Sequence, residues 1–157
     1  YEEVERLIGT GDLVASTRAF DDMKQRFPSV FYTQQSGLNL AKVAYLSGKP
    51  DVAKTALTWV AGSKADTGLA ALAKVRHAGL LIESKEFDEA SKLLSTDFPS
   101  EFGGLVADKR GDLALSQGKS DDAAQRFNEA LKLLPQQDQY RRLVEVKLAA
   151  LGSTEAK

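Results

Sequence analysis

The chain has 157 residues, of which 43% are apolar and 27% charged, the proportions of a soluble domain long enough to bury a core without staples. A net charge of −1 leaves no basic footprint for nucleic acid or anionic lipid, and the absence of cysteine excludes a disulfide framework and a thiol nucleophile. No run of about 18 apolar residues occurs, so no segment reads as a membrane span.

Glu2 to Ile8 reads as a short helix with Val4, Leu7 and Ile8 apolar. After Gly11, Asp12 to Arg26 reads as a second helix, stopped by Phe27-Pro28. A third runs from Tyr32 or Thr33 to Ser47, with Leu38, Ala41, Ala44 and Tyr45 on one side. Pro50 suits a first helical position, which predicts a helix over Asp51 to Ala61 carrying Val52, Ala56, Leu57, Trp59 and Val60. Residues 62–66 form a polar joint. Thr67 to Ser84 is the most apolar stretch; Leu69, Leu72, Val75, Leu80, Leu81 and Ile82 point several ways, as in a helix buried on several sides. Glu86 to Ser95 follows, and residues 96–100 form a loop that opens the next helix. Asp138 to Leu151 closes the chain with Tyr140, Val144, Lys147, Leu148 and Leu151 along one stripe, and 153–157 reads as a frayed tail. No segment alternates with period two long enough to argue a strand.

These helices repeat. In the stretch VADKRGDLALSQGKSDDAAQRFNEALKLLP, Gly118-Lys119-Ser120 separates two helical patterns. Gly111, Ala123 and Ala130 are small enough to let two backbones approach, and Phe127 fills the space between them. The phrase Gly118-Lys119-Ser120-Asp121-Asp122-Ala123 aligns with Gly48-Lys49-Pro50-Asp51-Val52-Ala53 and with Lys85-Glu86-Phe87-Asp88-Glu89-Ala90. A weaker copy begins at Gly11, with Phe20 and Pro28 standing where Phe127 and Pro135 stand. Turn positions 11, 48, 85 and 118 lie 37, 37 and 33 residues apart. This is the arithmetic of tetratricopeptide hairpins, about 34 residues each. The predicted fold is all-α: a tetratricopeptide-like superhelical stack of helical hairpins with a C-terminal capping helix. It forms a single domain over 1–152, with degenerate repeats at about 1–28, 33–62, 67–98 and 101–135, and the capping helix at 138–151.

The residues carry little chemistry. His77 is the sole histidine, and its helix neighbours Lys74 and Leu81 supply no metal ligands, so it reads as a packing or edge histidine. Leu115-Ser116-Gln117-Gly118-Lys119-Ser120 resembles the tail of a phosphate loop, but Leu113 stands where the first glycine is needed and a helix precedes it. Arg110-Gly111-Asp112 spells an adhesion tripeptide inside a helix, where it cannot be read. Asp21-Asp22 and Asp121-Asp122 diverge by about 100° on a helix and read as solvated surface. Trp59 reads first as core, with a binding anchor as the alternative. No catalytic residue, metal or cofactor is predicted.

What remains is surface. In such a stack the first helices of the hairpins line a groove. Counted back from the turns, that groove would hold Gln35, Leu38, Lys42 and Tyr45, then Leu72, Val75 and Ile82, then Leu105, Asp108, Asp112 and Leu115. The mixture suits an extended or helical peptide. The alternative is that neighbouring helices cover Leu72, Val75 and Ile82 and the groove is shallow.

The order of these segments resembles the YfgM-like family, ancillary subunits of the bacterial SecYEG translocon. VADKRGDLALSQGK is similar to the family's last hairpin, GLNLAKVAYLSGKPDVA and GLAALAKVRHAGLLIESKEFDEA to its middle repeats, and RRLVEVKLAALGS to its closing helix. The resemblance covers Ser36 to Leu151, and Tyr1 to Pro28 more loosely. It implies a non-catalytic scaffold on the periplasmic side of the inner membrane, tethered by a membrane helix upstream. A chain that opens at Tyr1 rather than Met fits that expectation. Implied partners are SecYEG and the periplasmic chaperone PpiD, with assistance in chaperone handover of secreted proteins. An alternative role is a regulatory module that sequesters a stress-response protein, RcsB. The resemblance carries no catalytic or partner-binding residue to transfer.

Overall fold

A computed structural model describes the backbone of residues 1–155 and the side chains of residues 1–152. Among the described residues there are nine α-helices and no strand. They are α1 (Glu2–Thr10), α2 (Leu13–Arg26), α3 (Phe31–Leu46), α4 (Pro50–Gly62), α5 (Thr67–Glu83), α6 (Phe87–Leu94), α7 (Gly103–Ser116), α8 (Ser120–Leu133) and α9 (Tyr140–Glu155). A single 3-10 turn, Ser100–Phe102, leads into α7. The expected tail overlaps α9 at 153–155, and 156–157 lie outside the described residues.

The helix boundaries follow from local chemistry. Asp12 caps α2 by accepting the Ala15 N–H at 3.0 Å, and Pro50 opens α4 where no N–H is needed. Carboxylates gather in first turns, as Asp88 and Glu89 do in α6 and Asp121 and Asp122 in α8, where the helix dipole favours them. The four aligned turn positions share one backbone conformation. Gly11, Gly48 and Gly118 have φ of 76°, 71° and 76°, and Lys85, at the same place in its repeat, has φ 60°. After α3, the Gly48 N–H donates to Tyr45 O and the Lys49 N–H reaches back to Ala44 O at 2.9 Å. The same pair of bonds closes α5 at Lys85 and Glu86, and α7 at Gly118 and Lys119. This left-handed cap satisfies the last carbonyls of a helix and turns the chain sharply.

Two compact units divide the chain, Tyr1–Leu80 and the residues from Leu81 onward. In the first, α1 packs on α2, α2 on α3 and α3 on α4. Its core holds Phe20, Leu40, Ala44, Ala53, Leu57 and Val60, with Leu69 and Leu72 of α5 packed against it. Trp59 packs half-buried against this core, its ring standing edge-on to Phe20 with centroids 5.5 Å apart. The buried Gln34 amide donates to Asp66 O at 3.0 Å, tying α3 to the joint before α5. In the second unit α7 packs on α8, α8 on α9 and α6 on α7. Its core is Ala107, Ala114, Ala123, Phe127, Ala130, Leu134, Val144 and Leu151. The residue five after each turn (Ser16, Ala53, Ala90, Ala123) and the residue nine after (Phe20, Leu57, Leu94, Phe127) are all buried. The repeat read in the sequence is therefore a repeat of packing.

Candidate functional site

The first-helix positions that suggest a groove meet different fates. On α3, Lys42 and Tyr45 are exposed, Gln35 is half-buried and Leu38 is buried in the core of the first unit. On α5, Leu72 is half-buried against that core, and Val75 and Ile82 are buried. All three are thus at least half covered. On α7, Leu105 is half-buried and Leu115 is exposed.

Asp108 departs most from an open groove, since no part of it is exposed. The closing helix α9 covers it. Tyr140 donates its hydroxyl to Asp108 Oδ2 at 2.5 Å, and Lys147 Nζ reaches Oδ1 and Oδ2 at 2.9 and 3.0 Å. Lys147 also pairs with Asp112 at 2.8 Å, to which Lys109 adds a bond at 3.3 Å, and it lies 5.6 Å from the centre of the Phe127 ring. Burial alone works against a charge on Lys147, but the bonds to Asp112 and Asp108 outweigh it and hold its pKa above the usual lysine range. Burial, and then the bond to Asp108, pushes the Tyr140 hydroxyl up in the same way. All the groups are paired, so the cluster fastens α9 to α7. Arg141 adds a second fastening by donating to Leu131 O and to Leu134 O, at the end of α8.

The first unit has its own bridge between first helices. Ser36 and Asn39 of α3 each donate to the Glu5 carboxylate of α1 at 2.8 Å. Beside it lies an exposed aromatic group that the helical pattern did not single out. Tyr1 packs at a tilt of 38° against Tyr32 with centroids 4.6 Å apart, and Phe31 meets Tyr32 edge-on at 5.7 Å. Its sequence signal is the unbroken run Val30-Phe31-Tyr32 at a helix start, where all three residues are exposed.

The remaining motifs resolve structurally. Arg110-Gly111-Asp112 lies within α7, with Gly111 buried beneath Phe127. Gly118 is the left-handed turn between two helices. Among the described residues no group of three or more His, Cys, Asp or Glu is placed to hold a metal ion, and no helix is long and apolar enough to cross a membrane.

Comparison with known proteins accords with this architecture. The chain is 30% identical over 129 residues to the ancillary SecYEG translocon subunit of Neisseria gonorrhoeae, a match covering 82% of this chain and 62% of that protein. It is also 31% identical over 83 residues to a 5'-methylthioadenosine/S-adenosylhomocysteine nucleosidase of Chromohalobacter salexigens, covering 51% of this chain and 35% of that protein. The chain thus spans less than two thirds of either relative. The second match leaves most of the nucleosidase unaligned and carries no activity here. The first bears out the resemblance read from the hairpin sequences. A family model described as a tetratricopeptide repeat-like domain matches residues 1–153, and the chain belongs to that family.

Proposed function

We propose that this chain is a contact domain of an ancillary subunit of the Sec translocon, acting on the periplasmic side of the inner membrane and helping to pass secreted proteins to chaperones such as PpiD. The observation that carries this reading is the similarity to a named ancillary SecYEG translocon subunit across 82% of the chain. The hairpin architecture fits a scaffold, because the Asp108–Tyr140–Lys147 cluster and the Glu5–Ser36 bond each fasten one helix to another. Each unit is proposed to meet partners through its own exposed first-helix positions: Lys42 and Tyr45 on α3 in the first unit, and Leu115 on α7 in the second. An exposed tyrosine beside a lysine offers the amphipathic, low-entropy contact that interfaces favour.

The test is co-isolation of the full-length protein from detergent-solubilised membranes. Recovery of SecYEG subunits and PpiD at physiological salt is the expected result. Recovery of a response regulator such as RcsB, with no translocon subunit, would replace this reading with a sequestering regulatory module.

A further inference from the structure

A cleft of about 490 Å³ lies between α6, α7 and α8, wholly within the second unit. That volume falls in the roughly 300–1,000 Å³ range of ligand clefts. Its lining includes none of the first-helix positions discussed above. Three cations line it, Arg110, Lys119 and Arg126, against one carboxylate, Asp122. Arg126 is paired with Glu129 at 2.9 Å, so Arg110 and Lys119 are the lining cations without a carboxylate partner among the described residues.

Of the lining cations Arg110 is half-buried, and Lys119 and Arg126 stand exposed at the mouth. Arg110 is held in place by donating Nη2–H to Leu94 O at 2.8 Å, at the end of α6. Among the described residues this is the one hydrogen bond its side chain makes, so most of its five donors remain for another acceptor. Arg126 engages Glu129 through Nη1 alone, at 2.9 Å. Among the described residues the side chains of Lys119, Gln117 and Gln125 make no hydrogen bond. A fixed guanidinium fork beside two further cations suits carboxylates. Gln117 and Gln125 each present a donor and an acceptor, the complement of a peptide backbone. No lining residue is aromatic, so there is no platform on which a nucleobase would stack.

We infer that this cleft binds a short acidic peptide segment of a partner protein, with Arg110, Lys119 and Arg126 taking its carboxylates and Gln117 and Gln125 its backbone. The inference is independent of the translocon assignment, because it rests on this lining alone.

The test uses the whole chain and a fluorescein-labelled probe of glutamates alternating with serines, read by polarisation at 50 mM and 200 mM salt. Saturable binding that weakens with salt is expected. The exposed pair Lys119→Glu and Arg126→Glu, made together, should weaken it at least about tenfold, and Asp122→Asn should tighten it. A melting temperature close to that of the parent shows that the double variant is folded. Amide NMR shifts should centre on Gln117, Gln125 and the first turns of α8. Four results would each overturn the proposal: no saturable binding up to millimolar protein, equal binding by the folded double variant, equal binding of the glutamine-for-glutamate probe, or tighter binding of a single-stranded oligonucleotide than of the peptide.

Discussion

Gly111 of α7 lies directly beneath Phe127 of α8: a Cβ built at position 111 would stand 2.4 Å from Phe127 Cε1 and 2.6 Å from Cδ1. Phe127 is fully buried, so its ring has nowhere to retreat. Gly111→Ala is expected to destabilise the fold by about 1–3 kcal/mol, the usual cost of overpacking. Phe127→Ala, which empties the same space, is expected to cost about 3–5 kcal/mol. Urea unfolding of both variants checks the pair.

Lys85 holds a left-handed conformation at φ 60°, which its three counterparts fill with glycine. The Cβ of lysine is strained there, and its side chain is exposed and gives up no packing when removed. Lys85→Gly is therefore expected to stabilise the chain by about 1 kcal/mol, seen as a higher urea midpoint with unchanged slope. Gly48→Ala and Gly118→Ala should shift the midpoint the other way.

Lys147 is the sole cationic partner of the fully buried Asp108 among the described residues. Lys147→Met leaves that carboxylate buried with only the Tyr140 hydroxyl for company, and is expected to cost about 3–5 kcal/mol. Adding Asp108→Leu to Lys147→Met should recover much of the loss, since an apolar pair needs no compensating charge. A double-mutant cycle by urea unfolding measures the coupling.

The same cluster predicts alkaline sensitivity. Folding raises the pKa of both Tyr140 and Lys147 above the ordinary values of 10.0 and 10.5. The folded state thus holds these protons more tightly than the unfolded state. Their contribution to stability is complete at neutral pH and falls as pH climbs above about 10. Unfolding free energy measured from pH 8 to 11 should drop at the alkaline end, and less steeply in Tyr140→Phe.

Much of the architecture could be read from local pattern. The turn phrases at Gly11, Gly48, Lys85 and Gly118 and the wedges Phe20 and Phe127 are signals within one hairpin, and each stands where the pattern places it. Even the departure at Lys85 was visible, because its neighbours align although lysine disfavours the required φ. The burial of Asp108 was not read, because its partners stand 32 and 39 residues away and no periodicity links them. A signal was nevertheless present: Lys147 interrupts the apolar stripe of α9, and a charge in a buried stripe calls for an opposite charge. The exposed Phe31 and Tyr32 were hidden for a related reason, since helical spacing tells which residues share a face but not whether anything covers it.

The central claim is that this domain works by contact through its open first-helix faces. Site-specific photocrosslinking in cells addresses it directly, with a photoreactive residue at Tyr45 or Leu115 and a control at Thr58, an exposed position on the second helix of its hairpin. Adducts to translocon subunits from Tyr45 and Leu115, and none from Thr58, are the predicted result. Adducts from Thr58 alone, or from none of the three in cells where the protein co-isolates with the translocon, would contradict it.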